Sequence, residues 1–178
     1  TIVIIPEYKK ADERINENGI KLVSVTTRRA TSDTQDPRLN TLSKLNCILA
    51  CIEADKAGAD EGIMLDVNGN VSTCNSTNFF IVKNGEVWTS TGEHCLPGVT
   101  RKMIINICEE KNITIAQKDF KIEDVHSADE AFVTGTFAGV IPAIEIDGHE
   151  ISNGSRGKMT HQLQKYYSEK LMMLYPNK

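Results

Sequence analysis

Apolar and polar residues change rhythm several times along this chain, and each change marks an element. From Gly19 to Arg29 they alternate and are rich in β-branched types, which predicts a strand. From Leu42 to Lys56 apolar residues fall at Leu42, Leu45, Ile48, Leu49 and Ile52. That is helical spacing, and Gly58 closes the helix. Gly62–Asp66 reads as a strand that turns at Asn68-Gly69 into another at Asn70–Cys74. A further hairpin joins Phe79–Lys83 to Glu86–Thr89 across Asn84-Gly85. Pro97–Thr100 leads into a helix reaching Lys111, followed by a strand at Ile113–Lys118 and a helical turn at Ile122–His126. Glu130–Thr134 and Gly139–Ile146 continue the sheet, with Asp147-Gly148 as a turn. Gly157–Leu174 predicts a last helix, and the apolar run from Ile2 to Ile5 an opening strand.

Hairpin-like strands with three interleaved helices fit a mixed α/β domain of barrel-like form. At 178 residues the chain supports one sizeable core and is short for two full domains. The net charge is −4 with both signs interspersed, so there is no basic stripe and nucleic acid is not an expected partner. No apolar run approaches the ~20 residues that span a bilayer, and no signal-peptide pattern opens the chain, so no membrane partner is expected. It begins at Thr1 rather than Met, and we expect it to be a piece of something longer. The five cysteines (Cys47, Cys51, Cys74, Cys95, Cys108) lack zinc-ligand pairing and read as buried free thiols in a reducing cytosol. His94, His126, His149 and His161 are scattered over loops and element ends, and no metal is expected. Trp88 reads as core packing.

Three segments carry chemistry. Asp36-Pro37-Arg38-Leu39-Asn40-Thr41-Leu42-Ser43-Lys44-Leu45-Asn46 runs into a helix that ends in Glu53-Ala54. Leu96-Pro97-Gly98-Val99-Thr100-Arg101 is a loop entering a helix, and Phe132-Val133-Thr134-Gly135-Thr136-Phe137 leads to a proline-containing strand at Pro142. In this order they resemble the class IV (fold-type IV) aminotransferases, which include the branched-chain and D-amino-acid aminotransferases. The resemblance covers nearly the whole chain. It implies a mixed β-sheet pseudo-barrel flanked by helices, the α/β (α+β) large domain of that family. Residues 1–12 would be the end of the family's small domain and its connector, and 13–178 the cofactor-binding domain.

The resemblance also implies pyridoxal phosphate as cofactor and transfer of an amino group between a small amino acid, branched-chain by default, and a 2-oxo acid. A cytoplasmic homodimer is implied with it. The D-amino-acid and aminodeoxychorismate lyase branches of the family stay open. By position, Val99 and Thr100 would meet the phosphate with first-turn N–H groups and a hydroxyl, as helix N-termini favour anions. Thr100 as a plain helix cap is the alternative reading. Thr136 would contact phosphate and, with Phe137, the substrate carboxylate. The family's cofactor lysine falls on Asn40, whose amide cannot take its place, and its pyridine-nitrogen glutamate on Thr73, within Val71-Ser72-Thr73-Cys74. If Leu39–Leu45 is already helical, Lys44 stands one turn beyond Asn40 and becomes the candidate catalytic lysine, its pKa lowered by burial and nearby cations. The competing expectation is a non-catalytic homologue that binds pyridoxal phosphate or another phosphorylated ligand.

Overall fold

The computed structural model describes residues 2–7 and 13–176. Its elements are α1 (Glu13–Asn18), β1 (Ile20–Ser24), α2 (Leu45–Lys56), β2 (Glu61–Leu65), β3 (Val71–Cys74), β4 (Asn78–Lys83) and β5 (Glu86–Thr89). They continue with α3 (Val99–Glu110), β6 (Ile115–Gln117), α4 (Ile122–His126), β7 (Glu130–Gly135), β8 (Gly139–Ile146), β9 (His149–Glu150) and α5 (Lys158–Leu174). Among the described residues the strands form one mixed sheet in the order β3-β2-β1-β8-β7-β4-β5-β6, with β9 beside β8. β1 sits between β2 and β8 and runs parallel to both, with Leu22 opposite Glu61 on one side and Ile146 on the other. The β2–β3, β4–β5 and β7–β8 pairs are antiparallel. The result is a mixed α/β sheet curled into a half-barrel, as expected.

β4 shows how the sequence builds two cores from one strand. Its side chains alternate across the sheet. Phe79 and Ile81 join Leu22, Ile63, Val133 and Ile146 on one face, capped by Phe120 and Val125. Phe80 and Val82 join Phe132 on the other, under Ile104 and Ile107 of α3 and Leu163 of α5. Phe80 and Phe132 are cross-strand partners with ring centroids 4.8 Å apart. Each such fully buried side chain contributes roughly 1.5–3 kcal/mol relative to exposure.

Several expectations are corrected. Residues 2–5 form no strand and stand exposed; nothing pairs with their backbone among the described residues, and an extended segment is stable only with a partner. Thr1, residues 8–12 of the expected connector, and the last two residues lie outside the described residues. The strand predicted to Arg29 ends at Ser24 because the Glu53 carboxylate captures the N–H groups of Thr26 and Thr27, although Val25 and Arg29 still donate to Ile63 and Leu65. α2 starts at Leu45 rather than Leu42, since the Ser43 carbonyl accepts the Gln35 side chain and the first helical bond runs from Ile48 to Lys44. It buries Ala50 and Ala54, Ala50 against Val25 and Met64. The predicted apolar stripe therefore faces outward, Cys51 is exposed and Cys47 half-buried, while Cys74, Cys95 and Cys108 are buried. All five thiols are free. α1 and β9 had no signal strong enough to predict them. Among the described residues no helix is long and apolar enough to cross a membrane.

Candidate functional site

A cavity of about 230 Å³ opens between residues 29–44, the start of α2 and residues 73–78. Asn40, Lys44 and Thr73 all line it, together with Arg29, Cys47, Asn78, Leu39 and Leu96. Local hydrogen bonds shape its walls. Asn46 of α2 donates to the Arg28 carbonyl at 2.9 Å. Asp36 accepts both the backbone and the guanidinium of Arg38, and the Arg38 guanidinium beside it holds its carboxyl down at about 2. On the opposite wall Glu61 accepts Ser76 Oγ at 2.6 Å and Thr77 Oγ1 at 2.8 Å, while burial pushes its carboxyl above the usual range. Asn75 Oδ1 accepts the Gly62 N–H at 2.6 Å. Thr73 Oγ1 donates to the Thr77 carbonyl at 2.7 Å, so its hydroxyl hydrogen is committed.

Lys44 caps α2 with φ −116° and ψ 24°. It is exposed, and among the described residues its amine has no hydrogen-bond or ion-pair partner. Two expectations are corrected here. Asn40 and Lys44 are not stacked on a helical turn, because residues 40–44 are loop; and Lys44 is exposed rather than buried. The loop nevertheless brings both into the same cavity.

The remaining site residues sit beside the cavity rather than on its wall. α3 begins at Val99 with Gly98 as its cap and no side-chain cap, so Thr100 is not the capping residue of the alternative reading. The first-turn N–H groups therefore lack a capping partner. Thr100 is buried and Val99 exposed. Asn78 joins this turn to the cavity: its Nδ2 donates to the Leu96 carbonyl at 3.0 Å, and a Cβ on Gly98 would collide with its Oδ1. Only glycine permits that approach. Thr136 and Phe137 are both exposed, in the tight turn between β7 and β8 where Gly135 faces Gly139. The neighbouring Thr134 pairs in register with Asn78, and its Oγ1 is buried without a hydrogen-bond partner.

Sequence reasoning missed Arg29, Asn78 and His94. Asn78 stands just ahead of the strand expected at Phe79–Lys83 and carries no motif signal of its own. Arg29 was read as a strand residue, and its one signal was a charge at the end of an alternating run.

Residues 1–146 match the model of the family described as amino-transferase class IV. The chain belongs to the class IV aminotransferases. It is 37% identical over 169 residues to branched-chain-amino-acid aminotransferase-like protein 2 of Arabidopsis thaliana, covering 95% of this chain and 30% of that protein. It is 36% identical over 156 residues to a putative branched-chain-amino-acid aminotransferase of Methanocaldococcus jannaschii, covering 87% and 54%. The solved aminotransferase from Brucella abortus, bound to the cofactor PLP, superposes with a TM-score of 0.81 at 27% identity, covering 93% of this chain and 56% of that one. The chain thus spans about half or less of the length of these relatives.

Proposed function

We propose that the intact protein transfers an amino group between an amino acid, branched-chain by default, and a 2-oxo acid, with pyridoxal phosphate as cofactor. The observation that carries this reading is the Lys44 amine, without a partner among the described residues, lining one cavity with Asn40 and Thr73. The residues present fit the group at its phosphate end: an uncapped first turn of α3 and the unpartnered, buried Thr134 hydroxyl are donors suited to a dianion. They fit it at the aldehyde end through Lys44. At the ring nitrogen Thr73 offers a neutral oxygen in place of a carboxylate.

When bound, the cofactor supplies an electron sink that acidifies the α-proton of the amino acid. Lys44 would supply the amine that holds the cofactor and would take up the substrate's α-proton. Val99 and Thr100 orient the phosphate, Asn40 hydrogen-bonds beside the ring, and Thr136 with the Phe137 N–H orients the substrate carboxylate. Leu39 and Leu96 give the cavity an apolar wall for an aliphatic side chain. The protein acts as a homodimer, supported by the exposed apolar face of α2, in the cytoplasm, supported by five free thiols.

The test is chemical trapping. The intact protein is incubated with pyridoxal phosphate, reduced with borohydride and mapped by mass spectrometry. We expect a phosphopyridoxyl mass on Lys44, and Lys44→Ala should lower transaminase activity at least about 100-fold. A protein with no labelled lysine, whose activity survives Lys44→Ala, refutes the reading.

A further inference from the structure

Two arginines stand at opposite ends of a continuous hydrogen-bonded chain, one of them, Arg29, on the cavity wall. Arg29 reaches three separate segments: Nη1 to Cys47 Sγ at 2.9 Å, Nη2 to the Pro37 carbonyl at 3.3 Å, and Nε to the His94 carbonyl at 3.1 Å. The His94 carbonyl also accepts Ser72 Oγ at 2.8 Å. The Ser72 carbonyl accepts Ser90 Oγ at 2.7 Å, and the Ser90 carbonyl accepts Arg101 Nη2 at 2.7 Å. Arg101 Nη2 also donates to Gln117 Oε1 at 3.1 Å.

The ends and the middle of this chain are each adjacent to a candidate site residue. Arg29 touches the loop and the helix that flank Asn40 and Lys44. Ser72 precedes Thr73, and Arg101 follows Thr100. Ser72, Ser90 and Arg101 are buried, and among the described residues no carboxylate pairs with the Arg101 guanidinium. Burial pushes its pKa down, and its Nε has no partner. A buried cation held mainly by a backbone carbonyl and an amide oxygen is costly for stability alone. It does supply a reference point: Arg101 Nη2 ties the Ser90 carbonyl to the first turn of α3.

We propose that Arg29 and Arg101 are positioning residues which, through the His94 carbonyl, Ser72 and Ser90, hold the Lys44-bearing wall at a set distance from the phosphate-binding turn of α3. This rests on the assignment of Lys44 and α3 made above. Reaction at Lys44 requires the aldehyde carbon and the amine to approach within about 3–3.5 Å, and a small misplacement is enough to slow it. The phosphate end anchors the ligand, so slack in the bracket acts on the attachment rate rather than on anchoring.

The intact protein and its Ser72→Ala, Arg29→Lys and Arg101→Lys variants are compared in three measurements. Thermal melts establish that each is folded. Calorimetry gives affinity for pyridoxine 5′-phosphate, which lacks the aldehyde. Borohydride trapping gives the rate of attachment to Lys44 at saturating pyridoxal phosphate. Ser72→Ala should leave pyridoxine phosphate affinity within about twofold and slow attachment at least tenfold; Arg29→Lys, on the cavity wall, should slow attachment at least tenfold, and Arg101→Lys weakens both. Combining Arg29→Lys with Ser72→Ala should add less than twofold to either alone, because both open the same chain. Folded Ser72→Ala and Arg29→Lys proteins that attach at the parental rate, or effects that multiply in the double variant, overturn the inference.

A parental protein that never attaches at Lys44 overturns the functional reading instead. The bracket is then read from the other side. Pyridoxine phosphate should change the alkylation rate of Cys47 by iodoacetamide at least threefold in the parent and not in Ser72→Ala. Equal alkylation rates with and without pyridoxine phosphate in the parent overturn the bracket as well.

Discussion

Glu53 binds the segment that leads into the cavity with both oxygens of one carboxylate. Oε2 accepts Thr26 N–H at 2.7 Å and Thr26 Oγ1 at 2.8 Å; Oε1 accepts Thr27 N–H at 3.1 Å and the Thr27 hydroxyl. These donors, the Thr27 hydroxyl foremost, hold its carboxyl down at about 2 against an ordinary 4.5. A carboxyl depressed on folding stabilises the fold fully above its ordinary value and loses that contribution as the pH falls from 4.5 towards 2. Glu53→Gln should therefore lower stability at pH 7 by about 1–2 kcal/mol, the deficit narrowing below pH 4.5. Urea unfolding of both proteins across this range measures it, and a deficit that does not change with pH rejects the assignment. The same contacts explain why a residue-level reading overextended this strand. The Thr26 and Thr27 donors look available for a ladder until the carboxylate twenty-six residues away is placed.

Among the helices, α5 depends on a residue that is not part of it. Its first turn carries no acidic residue, yet Glu130 of β7 accepts the N–H groups of Met159 and Thr160 at 2.9 and 2.8 Å and the Thr160 hydroxyl at 2.8 Å. A carboxylate at this end also meets the positive end of the helix dipole. Gly157 makes the approach possible, since a Cβ there would collide with the Glu130 carboxylate. Glu130→Ala should destabilise the protein by about 1–3 kcal/mol and speed amide exchange in the first turn of α5. Gly157→Ala should cost more in the parent than in Glu130→Ala, where the space is vacant. Additive losses in the double variant would exclude this contact.

Such long-range ties divide what was legible in the sequence from what was not. The β4–β5 hairpin was legible because Asn84-Gly85, with φ of +52° and +79°, suits the tight turn its residue types announce. β7 and β8 as strands and the last helix were legible in the sequence, whereas the antiparallel pairing of β7 with β8 was not among the expectations. The start of α2 was not, because the competitor for the Ser43 carbonyl is a glutamine in the preceding loop. In the candidate site, Asn40, Lys44 and Thr73, which the resemblance put at the cofactor, line one cavity. The role of Arg29 did not, since its Nε partner is sixty-five residues away.

Across the described residues several apolar runs stand exposed, and one of them follows α2. Leu39, Leu42, Leu45, Ile48, Leu49 and Ile52 are 44–103% exposed along α2 and its approach. Contiguous apolar exposure of this kind marks an association surface. On the homodimer proposed above, Ile48→Asp combined with Ile52→Asp should shift the intact protein to monomer in sedimentation; neither side chain is buried in this chain. An unchanged mass would remove α2 from the interface. The position of β1 has a different kind of consequence, in time rather than space. This strand lies at the centre of the sheet, yet its partner β8 is made more than a hundred residues later. Closing so long a loop is slow, and a nascent chain must keep β1 unpaired on one edge until β8 emerges. Residues 28–44 follow β1 closely, so the cavity wall carrying Lys44 is synthesised well before β8. During synthesis the chain presents a half-built sheet with a bare parallel edge, and that edge is where a chaperone or a misfolding neighbour would first engage it.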